Sequence, residues 1–188
     1  MANVLVTGGA GYIGSILVPE LLSLGHNVTI VDNFMYDQTS LNSSCFSPNL
    51  QIHSLDVRSA DMESIYAKND IIFPLAALVG APLCKKDPIG AKTINTDSVY
   101  SMLNVLSKDQ QVIMPTTNSA YGTGDENNFC TEESPLSPIS TYAIEKVEIE
   151  KALMERENVI SYRLATVFGM SPRMRMDLLV NDFIYRAF

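Results

Sequence analysis

The sequence has no apolar run long enough to span a bilayer, few cysteines, and fewer basic than acidic residues. Without a stretch of about 18 apolar residues, no membrane-spanning helix is predicted. The N-terminus, MANVLVTGG, lacks the basic stretch and long apolar core that are typical of a secretion signal. Cys45, Cys84 and Cys130 match no metal-ligand spacing and cannot all pair with one another. These absences predict a cytoplasmic protein with neither a membrane partner nor a metal site.

Basic residues are scarce, because 13 Lys and Arg against 21 Asp and Glu give a formal net charge of −8. Binding to the phosphates of nucleic acid needs a basic face, so nucleic acid is not predicted as a partner. A small anionic ligand is still compatible with this charge, since backbone dipoles bind anions locally. With 46% apolar residues in 188, one folded domain with a sizeable core is expected.

Short, β-branched apolar runs alternate along the chain with stretches that favour helices. Their continuous apolar character is typical of strands buried on both faces of a parallel sheet. The alternation predicts an α/β fold of the Rossmann type, a doubly wound parallel sheet with helices on both faces. Segments 33–49 and 122–138 are predicted as loops that face a ligand. Strands are predicted at 3–8, 27–32, 50–56, 70–76, 111–116 and 159–165, and helices at 12–24, 59–67, 89–107 and 138–157.

The stretch TGGAGYIG (7–14) lies between the first predicted strand and the first predicted helix. Gly8, Gly11 and Gly14 have the spacing of a dinucleotide-binding turn, in which glycine allows a sharp bend and a close approach of the backbone to a pyrophosphate. The helix N-terminus then offers N–H groups to the phosphates. A nucleoside-triphosphate loop with this glycine spacing needs Lys where Ser15 stands, which excludes that alternative.

An acidic residue closes the second predicted strand. Asp32 is placed to bind both hydroxyls of an adenosine ribose, as an acid does at this point of dinucleotide-binding folds. Asn33 and Phe34 follow it, and no arginine stands nearby in the sequence to bind a 2′-phosphate. NAD is therefore predicted as the cofactor rather than NADP.

Tyr142 and Lys146, in STYAIEK (140–146), are four residues apart in a predicted helix. Residues at this spacing lie on one face of a helix. The spacing is compatible with an ordinary solvated pair and with a proton-transfer pair, and by itself it does not distinguish them.

Six motifs occur in the order that is found in one enzyme family. On these motifs the sequence resembles the extended short-chain dehydrogenase/reductase family, specifically its nucleotide-sugar epimerases and dehydratases. The resemblance extends over nearly the whole chain and implies an NAD-dependent enzyme that acts on a nucleotide sugar. The motifs are TGGAGYIG (7–14), VDN (31–33), LDV (55–57), LAALV (75–79), TTNSAYG (116–122) and YAIEK (142–146).

The resemblance implies that Thr117, Tyr142 and Lys146 are catalytic. Tyr142 would act as the general base, Lys146 would lower the pKa of Tyr142 and hold the nicotinamide ribose, and the Thr117 hydroxyl would pass or share the substrate proton. The stretch 163–167 is placed beside the nicotinamide and the sugar nucleotide. The implied cofactor contacts are Gly8, Gly11, Tyr12, Ile13, Gly14, Asp32, Asn33, Asp56, Val57, Leu75, Ala76, Ala77, Val79, Asn95, Tyr142, Lys146, Leu164 and Val167. The implied substrate contacts are Thr117, Asn118, Ser119, Thr166 and Asn181. Arg175 is predicted as a further substrate contact, because it and Arg173, in SPRMRMD, carry guanidinium groups, which bind phosphate through two hydrogen bonds.

The two residues after Thr117 narrow the chemistry. Dehydratases of the family carry an Asp–Glu pair there, whereas this chain has Asn118 and Ser119, which do not transfer protons as carboxylates do. An epimerase, which needs only reversible oxidation at one sugar carbon, is therefore favoured over a dehydratase. Another nucleotide-sugar oxidoreductase remains an open alternative.

Members of the family continue beyond the position of Phe188 into a smaller domain that covers the sugar nucleotide. We therefore expect an NAD-binding Rossmann domain at 1–170 and a remnant of the substrate-binding region at 171–188. A non-catalytic NAD-binding module, or a fragment that needs a partner, is the alternative from another class. The helices at 89–107 and 138–157 are expected to form a homodimer face of the kind that the family commonly uses.

Overall fold

The computed structural model describes residues 1–123 and 129–187, which form a six-stranded parallel sheet with helices on both faces. The strands pair in the order β3-β2-β1-β4-β5-β6, which is the order of dinucleotide-binding folds. The predicted fold class is confirmed. The strands are β1 (Asn3–Thr7), β2 (Asn27–Asp32), β3 (Leu50–Ser54), β4 (Ile71–Pro74), β5 (Gln111–Thr117) and β6 (Val159–Leu164).

Helices occur at the predicted positions, but one predicted helix is divided into several segments. The predicted helix 89–107 is divided into α4 (Pro88–Lys92), a π-helical segment (Thr93–Asp97) and α5 (Ser98–Val105). No helix was predicted at Ala81–Lys86 (α3), which is less than two turns long, or at Leu179–Ala187 (α7), which falls in the segment expected as a remnant of the substrate-binding region. The helices are α1 (Gly14–Ser23), α2 (Met62–Tyr66), α3 (Ala81–Lys86), α4 (Pro88–Lys92), α5 (Ser98–Val105), α6 (Thr141–Leu153) and α7 (Leu179–Ala187), with the π-helical segment at Thr93–Asp97 and a 3-10 turn at Asn118–Tyr121.

Alternate residues of β1 divide the core between the two faces of the sheet. Leu5 belongs to a cluster that includes side chains of α2, α5 and α6, whereas Val4 and Val6 pack with Val18 and Leu21 of α1. Successive side chains of a strand point to opposite faces, so a strand covered on both faces is apolar throughout. This is why the strands are recognisable as continuous apolar runs in the sequence.

The strand order also determines where a ligand can enter. β1 lies between β2 and β4, so the connections that leave the carboxyl ends of β1 and β4 run to opposite sides of the sheet. Diverging connections leave a crevice at that point in doubly wound folds. The glycine turn after β1 and the loops after β2 and β4 all border it.

Within residues 1–123 and 129–187, no helix combines the length and hydropathy that crossing a membrane requires. The same residues contain no group of three or more His, Cys, Asp or Glu side chains arranged to hold a metal ion. The predicted loop 122–138 is described only in part, since 124–128 lie outside the described residues. The division of the chain after residue 170 stays a prediction.

Candidate functional site

A cleft of about 1190 Å³ opens at the carboxyl ends of the strands. All the predicted cofactor and substrate contacts line it except Asn95 and Asn181. Residues from the first glycine turn to the segment before α7 thus come together at one site, as the motifs predict. A second cavity, of about 820 Å³ between β3 and α2, contains none of the predicted contacts.

Two glycines of the turn after β1 have surroundings that exclude a side chain. Gly8 has a φ of +66°, and a Cβ there would lie 2.7 Å from the backbone nitrogen of Ala76. A Cβ on Gly14 would lie 2.6 Å from the Cα of Gly9. Gly11 differs, because its Cβ would meet only the Gly8 oxygen, at 3.0 Å, and the residue lines the cleft. The fold therefore requires Gly8 and Gly14, whereas Gly11 keeps the backbone accessible to a ligand.

The first amides of α1 are available for an anion. The Ser15 N–H donates to the Gly11 carbonyl at 3.0 Å, but the N–H groups of Tyr12, Ile13 and Gly14 donate to no acceptor within the described residues. Amides at a helix N-terminus carry partial positive charge and point outward along the axis. This part of the cleft fits the pyrophosphate of a dinucleotide.

Asp32 is held firmly at the end of β2 and is only 7% exposed. Its carboxylate accepts hydrogen bonds from the Ala10 N–H at 3.0 Å, the Phe34 N–H at 2.9 Å and Gln38 Nε2 at 3.2 Å. A carboxylate has about four acceptor positions, so one remains for a ribose hydroxyl. Asp32 lines the cleft, one free position suits one ribose hydroxyl rather than both, and the contact of Asp32 with an adenosine ribose stays a prediction.

Side chains that the motifs do not indicate complete this end of the cleft. The Arg173 guanidinium stacks on the Tyr36 ring, 4.8 Å from its centre, and both residues line the cleft. Arg173, predicted with Arg175 as a phosphate-binding side chain, is far from Tyr36 in sequence, so no local pattern shows that the two side chains stack. Tyr36 lies in the predicted ligand-facing loop 33–49, and that prediction was the available signal for it.

Asp56, implied as an adenine contact, is fixed by its neighbour Arg58. Arg58 Nε donates to Oδ1 at 2.8 Å and its terminal nitrogen donates to Oδ2 at 2.7 Å. These hydrogen bonds lower the pKa of Asp56 to about 2, so the carboxylate is ionised at neutral pH. Arg58 also donates to Thr93 at 3.1 Å, which links the loop after β3 to the π-helical segment.

Thr117 is the last residue of β5 and caps the 3-10 turn that follows it. Its Oγ1 accepts a hydrogen bond from the Ser119 N–H at 3.1 Å. Within residues 1–123 and 129–187 the Thr117 hydroxyl donates to no acceptor, so its proton can be donated to a ligand in the cleft. Asn118 and Ser119 are exposed and also line the cleft.

Tyr142 and Lys146 lie on the same face of α6 and both reach the cleft. The Nζ of Lys146 is 5.9 Å from the centre of the Tyr142 ring. Burial lowers the pKa of Lys146 to about 8. Burial also raises the pKa of Tyr142, and the Arg175 guanidinium opposes only part of this rise. Lys146 is not among the causes of this shift, so the expectation that Lys146 lowers the pKa of Tyr142 stays a prediction.

Asn95, implied as a cofactor contact, does not line the cleft. It lies in the π-helical segment and is 1% exposed. Its side chain accepts from the Leu78 N–H at 2.8 Å and donates to the Leu78 carbonyl at 2.9 Å. Asn95 thus holds the loop after β4 in place, and the cleft is lined by that loop instead.

Asn181, implied as a substrate contact, is also engaged with protein groups. It accepts from the Gly169 N–H at 3.0 Å and donates to the Tyr12 hydroxyl at 3.1 Å and the Arg175 carbonyl at 2.9 Å. The Tyr12 hydroxyl in turn donates to the Gly169 carbonyl at 2.7 Å. Arg175 lines the cleft and pairs with Asp177. Asn181 therefore ties the segment before α7 to the glycine turn, and Arg175 is the side chain that faces the ligand space.

The model of the NAD-dependent epimerase/dehydratase family matches residues 4–187. UDP-glucuronic acid decarboxylase 1 of Xenopus tropicalis is 29% identical over 197 residues, which cover 98% of this chain and 46% of the relative. UDP-glucose 4-epimerase 2 of Oryza sativa subsp. japonica is 30% identical over 159 residues, which cover 79% of this chain and 39% of the relative. The solved UDP-N-acetylglucosamine 4-epimerase of Methanobrevibacter ruminantium M1, in complex with UDP-N-acetylmuramic acid, has a TM-score of 0.82 at 29% identity, with 95% of this chain and 58% of that chain covered.

These matches confirm the resemblance on which the site was predicted and confirm NAD as the cofactor of the family. The chain spans about half the length of the curated relatives it matches. Because the relatives include both decarboxylases and epimerases, the matches support the family and do not distinguish between the two reactions.

Proposed function

The chain belongs to the NAD-dependent epimerase/dehydratase family, and from this premise we propose that it is an NAD-dependent nucleotide-sugar epimerase of the UDP-glucose 4-epimerase type. The observation that carries the proposal is the presence of Thr117, Tyr142 and Lys146 in the same cleft as the glycine turn and Asp32. Burying a lysine beside a tyrosine costs free energy. A module that only binds NAD can use Lys146 as a contact to the nicotinamide ribose, but it has no use for a tyrosine base beside that lysine, whereas a proton-transfer site does.

The described residues fit NAD. The free amides at the start of α1 suit the pyrophosphate, and the accessible backbone at Gly11 allows its close approach. Asp32 suits the adenosine ribose and would repel a 2′-phosphate, since both are anionic. Bound NAD would accept a hydride from the sugar and return it, and its oxidised form would add a positive charge to the site.

Proton transfer is the task of the chain's own residues. Oxidation of a sugar hydroxyl requires a base that takes the hydroxyl proton. Tyr142 as a phenolate is that base. The Thr117 hydroxyl, whose proton is not donated to any acceptor within the described residues, donates a hydrogen bond to the sugar oxygen. Because burial raises the pKa of Tyr142, the phenolate depends on positive charge nearby, and Lys146 supplies it while it is protonated.

The carboxylates of the cleft favour an epimerase over a dehydratase. Asn118 and Ser119 occupy the positions where an added acid and base would stand. Among the described residues of the cleft, Asp56 is bound to Arg58, and Asp177 to Arg175. Elimination of water needs an acid and a base beyond the hydride step, and reversal of one stereocentre does not.

Decarboxylation of a nucleotide-sugar uronic acid is a second candidate. It is supported by the UDP-glucuronic acid decarboxylase that aligns over 98% of the chain. The reaction begins with the same oxidation, after which a ketone β to the carboxylate allows loss of carbon dioxide. Arg175, a guanidinium lining the cleft, can pair with either a diphosphate or a uronic carboxylate.

Proton NMR of UDP-glucose, and in parallel of UDP-glucuronic acid, incubated with the protein and NAD tests these candidates. New signals from the sugar with one inverted stereocentre support the epimerase, and UDP-pentose signals support the decarboxylase.

We expect Tyr142→Phe to reduce turnover by about 10²- to 10⁴-fold with little change in NAD affinity, because only the proton-transferring hydroxyl is lost. Tyr162→Phe, which alters an exposed tyrosine of β6 outside the cleft, is the matched control. Full turnover in Tyr142→Phe contradicts the role of Tyr142 as the base, whereas NAD binding by the wild-type protein without any turnover contradicts the enzymatic proposal and supports the NAD-binding module.

We also propose a homodimer through the outer faces of α5 and α6. Both helices pack on the same face of the sheet, and each exposes apolar side chains on its outer side, Tyr100 on α5 and Ile144 on α6. We expect light scattering to give a dimer mass and Ile144→Lys to give a monomer, because a buried lysine would lack a partner. Ile16→Lys on α1 is the control. A monomeric wild-type protein contradicts this proposal.

A further inference from the structure

A partly buried hydrogen-bonded network extends from the helix that carries Tyr142 and Lys146. Glu150 lies one turn after Lys146 on α6 and is 7% exposed. The Nε of Arg163, on β6, donates a shared hydrogen bond to its carboxylate, 3.1 Å from Oε1 and 3.0 Å from Oε2. This ion pair joins α6 to the last strand of the sheet.

Arg163 extends the network to the turn after Thr117. One terminal nitrogen of Arg163 donates to the Tyr121 hydroxyl at 3.0 Å and to the Glu132 carbonyl at 3.1 Å. The guanidinium also lies over the Tyr121 ring, 5.2 Å from its centre. Tyr121 is the last residue of the 3-10 turn that Thr117 caps. The far end of the turn is thus attached to the ion pair.

The residue immediately before Thr117 is linked to the same carboxylate through Ser161. Ser161 donates from its hydroxyl to Glu150 Oε1 at 2.9 Å. The same hydroxyl oxygen lies 3.1 Å from Thr116 Oγ1, within hydrogen-bond distance. Glu150 is therefore linked to the chain both immediately before Thr117 and at the end of the turn that follows it.

We propose that Glu150 and Arg163 are positioning residues, which hold the Thr117 hydroxyl in register with Tyr142 and Lys146. Within the described residues neither side chain lines the cleft, so neither acts by contacting a ligand, although the resemblance places 163–167 beside the ligands. Proton transfer requires groups within hydrogen-bond reach of the substrate, and a displacement of about 1 Å costs about 100-fold in rate. The expected effect on kcat rests on the proposed function, whereas the expected stabilisation of the 3-10 turn by the network does not.

The test is Glu150→Gln, which keeps the shape of the side chain and removes the charge that binds Arg163. We expect kcat to fall about 10- to 100-fold while the KM for the nucleotide sugar stays within about threefold. We expect hydrogen exchange at the Ser119 amide, which donates to Thr117, to accelerate at least about tenfold relative to the amides of α1.

Arg156→Gln is the matched control. Arg156 follows α6 and donates to the carbonyls of Leu106 and Ser107, so its loss loosens the same helix without touching the turn. If Glu150→Gln does not fold, Tyr121→Phe takes its place, since it removes one hydroxyl from the network and is expected to accelerate Ser119 exchange about threefold.

Four outcomes decide the inference. A fall in kcat and faster Ser119 exchange in Glu150→Gln, but not in Arg156→Gln, support it. Unchanged Ser119 exchange in Glu150→Gln overturns it, as does an equal loss of kcat in both variants, which would show an effect of stability alone. Faster Ser119 exchange in a protein whose wild type shows no turnover upholds the positioning role and overturns the proposed function instead.

Discussion

Replacing Lys146 with methionine is expected to stabilise the fold while it removes turnover. Lys146 is 5% exposed, and burial lowers its pKa from 10.5 to about 8. At about 1.4 kcal/mol for each tenfold change in an equilibrium, this difference corresponds to a cost of about 3 kcal/mol. Methionine has a similar length and no charge, so Lys146→Met removes that cost. The same variant loses the cation that favours the Tyr142 phenolate, and we expect a loss of turnover of about 10²- to 10⁴-fold.

The stability gained by Lys146→Met decreases as the pH rises, because the pKa of Lys146 is lower in the folded chain than in the unfolded chain. Below pH 8 the lysine is protonated in the folded and the unfolded chain, so the full cost of its burial is present. Between about pH 8 and 10.5 the unfolded chain binds more protons than the folded chain, so the contribution of Lys146 to the free energy of unfolding rises with pH. The advantage of Lys146→Met over wild type therefore decreases across this range.

Urea unfolding of wild type and Lys146→Met at several pH values measures this difference. Lys151→Met, which alters an exposed lysine of the same helix, is the control and is expected to change stability by less than about 0.5 kcal/mol. A stability difference that stays constant from neutral pH to pH 10.5 would show that Lys146 is not the group that titrates. Wild-type turnover in Lys146→Met would contradict its catalytic role.

Gly8→Ala is expected to produce the largest loss of stability, about 2–5 kcal/mol. The φ of +66° costs an L-residue about 1–2 kcal/mol. The added Cβ would also press on the backbone of Ala76 at 2.7 Å, where no side chain can rotate away, and such overpacking costs about 1–3 kcal/mol more. The free energy of unfolding in urea is the measurement.

Two other glycines separate the causes of this effect. Gly25 has a φ of +81° with nothing within 4 Å of the added Cβ, so Gly25→Ala is expected to cost only the backbone strain of about 1–2 kcal/mol.

Gly11→Ala adds a Cβ inside the cleft and is expected to change stability by less than about 1 kcal/mol but to weaken NAD binding at least about tenfold. Equal destabilisation by Gly8→Ala and Gly25→Ala would contradict the contact with Ala76.

Patterns along the sequence determined the features that depend on local chemistry. The strands were predictable because a strand buried on both faces must be apolar throughout, as in the run from Val4 to Val6. The glycine turn was predictable because a left-handed φ and a backbone contact at Gly8 admit no other residue. Asp32 was predictable as a cleft residue because parallel strands bring their carboxyl ends to one edge of the sheet, whereas Thr117 and Tyr142 were assigned to the site by the resemblance to the family.

Only the tertiary structure decided what depends on burial and on partners that are distant in sequence. The spacing of Tyr142 and Lys146 predicts their proximity but not their pKa values, which desolvation by the surrounding fold dominates. Asn95 has the residue type of a ligand contact, yet both ends of its amide are bound to Leu78. Glu150 resembles a residue of a solvated helix face until Arg163 of β6 is seen beside it. A hydrogen bond depends on positions in space, and for residues on separate elements those positions follow from packing and not from order along the chain.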